Sequence, residues 1–428
     1  MLIFIVFCIF ASIFLGYKFK INIGLFALAF SYIIACFGMN LSVKELLNMW
    51  PLSIFFVILS VCMFYNIASA NLTLEKLANL ILIKFQNHQR FLPFVIYFIA
   101  SLIAALGAGF YSVLAFMAPL SFVLCDKLKL NKLICAMAIN YGALSGANFV
   151  SSQSGIIFRN LMQDAGLSQN EAFINAFWIF FASFILPIFV LGIYTLFAKT
   201  QSVKITLHLN NISFDFKQKI TLILMGLLIF IILLFPILNI IFQDNKTIAF
   251  LNKKIDIAFI CIIFVIIALM LNLAEQNKII NLIPWQTLLM IVGVGMLISL
   301  AIKAGMTNEL KSFVSNNINK NFIPLIMMII AAFMSLFSST LGVVAPALFV
   351  LVPDIASASG VNACIIFVCI IIGAQASAIS PFSSGGSLIL GSIKQEQKDL
   401  MLKELMFKAV PIGFFAAFIL CFVLTLFI

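Results

Sequence analysis

Two stretches of the chain, 231 positions apart, repeat one pattern of small and hydroxyl residues. Residues 142–155 read GALSGANFVSSQSG, and residues 373–386 read GAQASAISPFSSGG. Each stretch interrupts a segment that is otherwise apolar. Unwound backbone at membrane depth persists only where protein buries it or where it lines a cavity. Two such interrupted segments in corresponding halves of a chain indicate a solute-binding site.

The chemistry available at these breaks comes from hydroxyls, amides and free backbone groups. Each break starts a new helix, whose free N–H groups and positive dipole end favour an anion. The carbonyls that end the preceding half-helix suit a sodium ion. The predicted substrate-binding residues are Ser112, Asn148, Ser151, Ser152, Ser339, Thr340, Ser380, Ser383 and Ser384. The predicted ion-binding residues are Ser112, Gly146, Asn148, Ser338, Thr340 and Ser377.

Glycine and proline residues around the breaks predict hinges, because glycine permits unusual backbone angles and proline ends a helix. The predicted hinge residues are Gly107, Gly109, Gly142, Gly155, Gly373, Pro381, Gly385 and Gly386. Isolated hydroxyls such as Ser183 and Ser335 have a simpler role, since serine commonly bonds neighbouring membrane helices together.

The composition places these motifs in an integral membrane protein. Of 428 residues, 64% are hydrophobic and 9% are charged, whereas soluble domains carry about 25% charged residues. The net charge of +11 lies in loops between apolar runs and indicates topology rather than a nucleic-acid partner. The nine cysteines lie mostly in apolar stretches, so we expect small buried side chains rather than disulfides or a metal site. Spans are predicted near 2–17, 22–38, 51–70, 133–162, 171–197, 219–242, 255–273, 285–304, 361–393 and 405–428.

Two further apolar segments, 92–125 and 322–353, predict re-entrant hairpins, since each is too short for two full spans and is interrupted near its centre. Each half then has three spans, a hairpin, an interrupted span and a final span. Because each half crosses the membrane an odd number of times, the second half must be inverted. The predicted fold class is therefore an all-α integral membrane protein with about ten transmembrane helices and two re-entrant hairpins in two inverted-topology repeats.

The predicted domain boundaries follow from this order. The first repeat is 1–197, with hairpin 92–125 and broken span 133–162. Residues 198–218 form a polar cytoplasmic linker, and the second repeat is 219–428, with hairpin 322–353 and broken span 361–393.

The distribution of charge predicts the orientation in the membrane. In this layout 17 of the 25 lysines and arginines fall on one side, which the positive-inside rule makes cytoplasmic. Both termini are then outside, and we expect a bacterial inner membrane. No Asp or Glu falls in the middle of a predicted span, which argues against cation transport and carboxylate-based proton coupling. No nucleotide-binding loop or nucleophile–base arrangement is found, so neither an enzyme nor an ATP-driven pump is predicted.

The order of hairpins and broken spans resembles the ion-transporter superfamily, and within it permeases of the divalent anion:sodium symporter type. The stretch from Leu106 to Pro119, followed by Gly142 to Gly155, is similar to the N-terminal region of malonate/dicarboxylate carriers. The resemblance implies a homodimer in which a transport domain moves like an elevator against a scaffold. Hairpin tips of this group carry Ser-Asn-Thr. Here the serine matches Ser112 or Ser338, the threonine matches Thr340, and neither tip has the asparagine.

The sequence therefore predicts a secondary active transporter of a small organic anion, a di- or tricarboxylate, that works by an elevator mechanism in the lipid bilayer. Sodium is the favoured coupling ion, and no other cofactor is expected. Two alternatives remain open. One is an arsenite/antimonite or sodium/proton antiporter of the same superfamily, and the other is a passive anion channel.

Overall fold

The computed structural model consists of helices, and the residues it describes contain no β-strand. It describes residues 1–77, 91–128, 130–197, 213–242, 245–306, 309, 319–336 and 338–426. Most of the predicted linker 198–218 lies outside these residues. Helices below are numbered in chain order.

The structure gives nine α-helices with full bounds in the described residues of the first half. They are α1 (Leu2–Phe19), α2 (Ile23–Tyr32), α3 (Val43–Leu47), α4 (Leu52–Ala70), α5 (Leu92–Ile103), α6 (Gly109–Leu128), α7 (Lys132–Ala147), α8 (Gln153–Asp164) and α9 (Gln169–Phe197). Two π-helical segments, Ile33–Gly38 and Ala104–Ala108, extend α2 and α5. The described residues of this half match the predicted spans to within a few residues.

The described residues of the second half contain twelve α-helices. The α-helices are α10 (Phe216–Ile241), α11 (Lys246–Lys254), α12 (Ile257–Met270), α13 (Gln276–Asn281), α14 (Trp285–Lys303), α15 (Ile323–Ser335), α16 (Ala345–Phe349), α17 (Val352–Ser359), α18 (Ala363–Ser377), α19 (Ser384–Gly391), α20 (Lys398–Glu404) and α21 (Val410–Thr425). Thr340–Val344 and Leu405–Ala409 are π-helical, and Lys320–Phe322 and Gln395–Gln397 are short 3₁₀ turns.

The helices have the length and outward-facing apolar surface of membrane spans. Five helical segments of the described chain are long and apolar enough to cross a bilayer, and eight shorter apolar helices accompany them. Large side chains such as Phe7, Phe230 and Phe415 are exposed on the outside of the helical bundle, where lipid would cover them. This is the architecture of a multi-pass integral membrane protein, which confirms the predicted fold class. The number of spans and the inverted repeats stay predictions.

Helices of the first half pack on helices of the second half. Helix α2 packs on α14, and α12 packs on α4. The first contact is close, because a Cβ added to Gly24 would lie 2.1 Å from the carbonyl oxygen of Leu289. Among the hairpin and broken-span helices, α5 and α6 pack on α7, and α15 packs on α18.

The cysteines differ from expectation at one position. The structure joins Cys125, near the end of α6, to Cys135, in the first turn of α7, as a disulfide. The sequence analysis expected no disulfide, and that expectation is wrong for this pair. The reason is that α6 and α7 pack on each other, which brings the two side chains together. The seven other cysteines are free.

Candidate functional site

Both repeated motifs form helix breaks in the structure. Helix α7 ends before residues 148–152, and α8 begins after them. Helix α18 ends before residues 378–383, which include Pro381, and α19 begins after them. At each break the free carbonyls of one half-helix lie near the free N–H groups of the next. The backbone therefore offers both acceptors and donors inside the protein.

The two breaks are closed by the same contacts. A Cβ added to Gly155 would lie 2.1 Å from the carbonyl oxygen of Phe149, and one added to Gly386 would lie 2.0 Å from that of Ser380. The two glycines are 231 positions apart in the sequence, and so are Phe149 and Ser380. A side chain at either glycine would push the two half-helices apart.

The helices that carry the breaks also pack in matching ways. A Cβ added to Gly142 would lie 2.5 Å from the carbonyl oxygen of Tyr97, and one added to Gly373 would lie 2.3 Å from that of Met328. These contacts again differ by 231 positions. Gly142 and Gly373 lie inside α7 and α18, so the structure places them at helix contacts rather than at the breaks themselves.

The tip of the first hairpin depends on two glycines with positive φ. Gly107 has φ +99° and Gly109 has φ +71°, angles that residues with a Cβ rarely adopt. A Cβ on Gly107 would lie 2.0 Å from ring carbons of Tyr65, and one on Gly109 would lie 2.1 Å from Oε1 of Gln153. The tip is thus packed directly against α4 and the start of α8.

Two of the repeated serines bond to backbone near the breaks. The Ser152 hydroxyl donates to the carbonyl of Ala104 at 2.6 Å, which ties the first break to the first hairpin. The Ser383 hydroxyl donates to the carbonyl of Ala378 at 2.6 Å and accepts from the Gly386 N–H at 3.2 Å. In this conformation both hydroxyls hold backbone in place.

Several other predicted ligands are also engaged within the protein. The Asn148 amide donates to the Ser183 hydroxyl at 3.1 Å, and the Ser338 hydroxyl donates to the Met334 carbonyl at 2.6 Å. Other predicted residues make contacts as follows: Thr340 with Ser335 at 3.3 Å between hydroxyls, Ser380 with the Phe382 N–H at 3.3 Å, and Gly146 against the Ser101 carbonyl.

The remaining predicted residues differ in their surroundings. Ser151 is buried, and its hydroxyl has no partner within the described residues, while its carbonyl accepts from the Tyr65 hydroxyl at 3.1 Å. Ser112 lines a cavity of about 550 Å³, described below. Ser377 is buried at the end of α18. The Ser384 side chain lies outside the described part of the chain.

The two hairpin tips touch through one hydrogen bond. The hydroxyls of Tyr111 and Ser339 are 2.9 Å apart. Ser339 also accepts from the Gly342 N–H at 3.1 Å, so the second tip holds this hydroxyl in a fixed direction. The structure therefore brings the predicted tips together, with a tyrosine that the sequence analysis did not select at the contact.

A cavity of about 550 Å³ lies where the first tip, α8 and α19 face α4 and α14. Its lining residues are Cys62, Tyr65, Asn66, Gly107, Tyr111, Ser112, Gln153, Leu282, Ile283, Pro284, Trp285, Gln286, Thr287, Met290, Ser387 and Leu388. We call it the large cavity. This volume is in the range of small-molecule sites. No charged side chain is among these described lining residues, so polar recognition here relies on neutral hydrogen-bonding groups.

A second cavity of about 20 Å³ lies where the two tips meet the second break. Its lining residues are Phe110, Tyr111, Leu144, Ser338, Ser339, Thr340, Leu341, Ala378, Ser383 and Gly385. We call it the small cavity. Its volume is enough for about one water molecule.

Part of the large cavity comes from helices outside the predicted site. Asn66 on α4 and Trp285, Gln286 and Thr287 at the start of α14 contribute its other wall. Asn66 also donates to the Ile279 carbonyl at 3.1 Å. A cluster of polar residues at the start of an apolar run was the available signal at 285–287. In sequence it has the same appearance as an ordinary interfacial helix end.

Asn140 is a further residue that the sequence analysis missed. It lies within α7 and is fully buried, and neither atom of its amide has a partner in the described residues. A Cβ added to Gly385 would lie 3.2 Å from its Oδ1 and 2.8 Å from the Ala378 carbonyl oxygen. A polar side chain of the first half therefore faces the second break.

The fold that carries this site is that of known membrane transporters. The YdaH transporter of Alcanivorax borkumensis aligns with a TM-score of 0.56 and 12% identity, over 90% of this chain and 87% of that one. MtrF of Neisseria gonorrhoeae, described as illuminating a class of antimetabolite efflux pumps, aligns with a TM-score of 0.58 and 15% identity, over 92% of this chain and 83% of that one. At these identities the likeness shows the fold alone.

The sequence itself also matches a family. Residues 1–147 match the model described as dicarboxylate carrier protein MatC N-terminus. This confirms the predicted resemblance to dicarboxylate carriers for the segment that includes the first hairpin and α7. A comparison with curated protein sequences finds no match. Fold and family match together indicate a membrane transporter of small molecules rather than an enzyme.

Proposed function

We propose that the protein is a secondary active transporter of small dicarboxylates, coupled to sodium and working by an elevator mechanism. The observation that carries this proposal is the large cavity, in which the first tip and both broken spans face α4 and α14. The match of residues 1–147 to a dicarboxylate carrier family supports the substrate class.

The polar groups around the cavity suit an anion. The Tyr111 and Ser112 hydroxyls, the Gln153 amide and the Thr287 hydroxyl are neutral donors that line it. The first turns of α8 and α19 add helix N-termini, whose dipoles favour a carboxylate without any buried cation. An uncharged site of this kind also releases its ligand more easily than an ion pair would.

The elevator proposal rests on which helices surround the cavity. Hairpin and broken-span helices pack mainly on one another. Outside that group, α2 packs on α14 and α4 packs on α12, and each of these contacts joins the two halves. The cavity separates these two groups along the first tip. In our proposal the first group moves and the second is the scaffold, in a homodimer. Matching contacts 231 positions apart support the internal repeat, and the odd number of predicted crossings in each half supports its inversion.

Sodium is the proposed coupling ion because acidic residues lie at helix ends. Within the described helices, Asp256 caps α12, Asp354 lies in the first turn of α17, and Glu171 lies in the first turn of α9. Carboxylate-based proton coupling needs such a group at depth. Carbonyl oxygens at the two breaks are neutral ligands of the kind that sodium accepts. We place both termini outside an inner membrane, so that the large cavity, which reaches the loop 282–284, faces the cytoplasm.

The test is uptake of labelled malonate, succinate and citrate into proteoliposomes, with and without an inward sodium gradient. We expect saturable accumulation of a dicarboxylate that depends on sodium. Ser112→Ala is expected to raise KM several-fold, because it removes one donor from the cavity. Ser299→Ala is the matched control, since that hydroxyl bonds to the Gly295 carbonyl of its own helix.

The alternatives give different results in the same experiment. Non-saturable flux that only follows the solute gradient would indicate a channel. Absence of uptake for all three solutes, with sodium-driven proton or arsenite movement instead, would replace the proposal by an antiporter.

A further inference from the structure

Tyr111 occupies the boundary between the two cavities. Among the described residues it is the one that lines both the large cavity of about 550 Å³ and the small cavity of about 20 Å³. Its backbone belongs to the first tip, and its hydroxyl reaches Ser339 of the second tip. The phenol ring thus separates the two cavities.

The ring is held on two sides. Its hydroxyl lies 2.9 Å from the Ser339 hydroxyl, which is itself 4% exposed and fixed by the Gly342 N–H. The ring of Phe110 packs beside it with centroids 5.0 Å apart. Because both neighbours are well packed, the ring cannot swing into the small cavity without breaking the hydrogen bond.

This position limits how far a solute in the large cavity can extend toward the second tip. With the ring in place, the space beyond it is enough for about one water molecule. Removing the ring would join the two spaces and expose the Ser339 and Thr340 hydroxyls to the solute. A solute in the joined space would then reach these two hydroxyls as additional hydrogen-bonding groups.

The hydroxyl has a second role at this boundary. A phenol donates one hydrogen bond and accepts others, so Tyr111 can donate to a solute carboxylate when it is not donating to Ser339. Hydrogen bonds to an ionised acceptor are stronger than those between neutral groups. A carboxylate at the boundary therefore competes well with the serine.

We propose that Tyr111 determines substrate size, admitting short dicarboxylates and excluding tricarboxylates and longer dicarboxylates. This inference rests on the proposed transport of dicarboxylates and narrows it to one part of that class. It assigns to Tyr111 both a steric role through the ring and a binding role through the hydroxyl.

The test compares Tyr111→Ala, Tyr111→Phe and Ser339→Ala in proteoliposomes. Inhibition of labelled malonate uptake is measured with unlabelled malonate, succinate and citrate. We expect the wild type to prefer malonate and succinate. Tyr111→Ala is expected to shift preference toward citrate by about tenfold, the scale of discrimination by pocket shape. Tyr111→Phe keeps the ring and loses the hydrogen-bond donor. We therefore expect inhibition by all three solutes to weaken several-fold, with their order of preference unchanged.

Controls separate size selection from damage to the fold. Ser339→Ala removes one of the two contacts that hold the ring and keeps the phenol, so we expect a smaller shift toward citrate than in Tyr111→Ala. Tyr32→Ala removes an exposed tyrosine of α2 that lines neither cavity, and we expect it to leave uptake and the order of preference unchanged. Thermal unfolding of each purified variant shows whether it is folded. If Tyr111→Ala fails to fold, Tyr111→Leu provides a smaller opening with an intermediate shift.

Three results would overturn the inference, and they are distinguishable. A folded Tyr111→Ala or Tyr111→Leu protein with wild-type preference would show that the ring selects nothing, while dicarboxylate transport itself would stand. A wild-type protein that prefers citrate would contradict the inference alone. A wild-type protein that transports no dicarboxylate would contradict both the inference and the proposed function.

Discussion

At position 140, a completely buried amide faces the second break without a partner among the described residues. Burying such a group without hydrogen bonds costs about 1–3 kcal/mol of stability. Its Oδ1 and the Ala378 carbonyl oxygen both approach the position where Gly385 lacks a side chain. Polar groups kept at such a cost are commonly functional, because the site needs them in a state that the structure alone does not satisfy.

Asn140→Leu is expected to stabilise the folded protein and to reduce transport. Leucine has a similar volume and removes the unpaired amide, so the free energy of unfolding should rise by about 1 kcal/mol or more. Thermal unfolding in detergent and uptake in proteoliposomes measure the two effects on one preparation.

Asn148→Leu is the matched comparison for this change. Its amide donates to Ser183, so its loss leaves that hydroxyl without the bond and should lower stability. If Asn140→Leu destabilises the protein as much as Asn148→Leu does, the amide at 140 has partners in the folded state and our interpretation is wrong.

Single polar residues in apolar helices were the hardest to predict from sequence. Asn140, Tyr111 and Asn66 have the same appearance as interhelical hydrogen-bonding residues until neighbouring helices are placed. The clusters around Ser152 and Ser383 were predictable because the same pattern occurs twice. The directions of their hydroxyls were not, because those depend on which carbonyls the folded breaks present.

At the scale of a helix or hairpin, the first tip joins backbone geometry to packing. Gly107 has φ +99°, and the ring of Tyr65 occupies the position of its missing side chain. Gly166, in the turn after α8, has nearly the same φ of +100° but open space around it. Comparing alanine substitutions at Gly107 and Gly166 therefore separates the free-energy cost of the backbone angle from that of the steric contact with Tyr65.

Gly107→Ala is expected to lower the melting temperature more than Gly166→Ala. The angle alone costs about 1–2 kcal/mol at either position, and only Gly107→Ala adds displacement of Tyr65. We also expect Gly107→Ala to reduce uptake, because Tyr65 and the tip both line the large cavity. Equal losses of stability for the two variants would show that the tip yields without disturbing α4.

The helices themselves were largely predictable. Long apolar runs gave the spans to within a few residues, since helices are the only way for such runs to satisfy their backbone in lipid. Glycine-rich segments placed the first tip near Gly107. The extra interruption between α16 and α17 was not predicted, although Pro353 in the first turn of α17 marks a helix start in the sequence.

At the scale of the whole molecule, an ionic contact joins the two halves on the predicted cytoplasmic side. Asp126, near the end of α6, pairs with Lys132 of α7 and lies 3.5 Å from Nζ of Lys394, which follows α19. The hydrogen bond from Lys132 holds the pKa of Asp126 below its usual range. The contact thus connects the first hairpin to the second broken span.

Asp126→Asn is expected to lower stability modestly, by less than about 1 kcal/mol, because the pair is partly exposed. A lowered carboxyl pKa stabilises the fold at pH values above the unfolded value of about 3.9. That contribution is lost as the pH falls through the lower folded pKa. Melting temperatures of wild type and variant should therefore differ at neutral pH and converge in acid. A difference that persists unchanged in acid would rule out the carboxylate as its source.

The packing of α2 on α14 and of α12 on α4, each between the two halves, could not be predicted from the sequence. Hydrophobic pattern gives each helix an apolar surface but not its partner. The order of elements suggested two similar halves, and the contacts bind those halves into one body.

The two hairpins differ in a way that bears on the direction of flux. Helix α6 continues through Pro119 to Leu128, whereas the corresponding arm of the second hairpin is divided into α16 and α17. Pro119 and Pro346 are 227 positions apart rather than 231, a shift of about one helical turn. If each hairpin opens toward one face of the membrane, the barriers to entry from the two faces are unequal. Unequal barriers lead to rectification, in which apparent affinity and maximal rate differ between influx and efflux although the driving force alone fixes the final gradient.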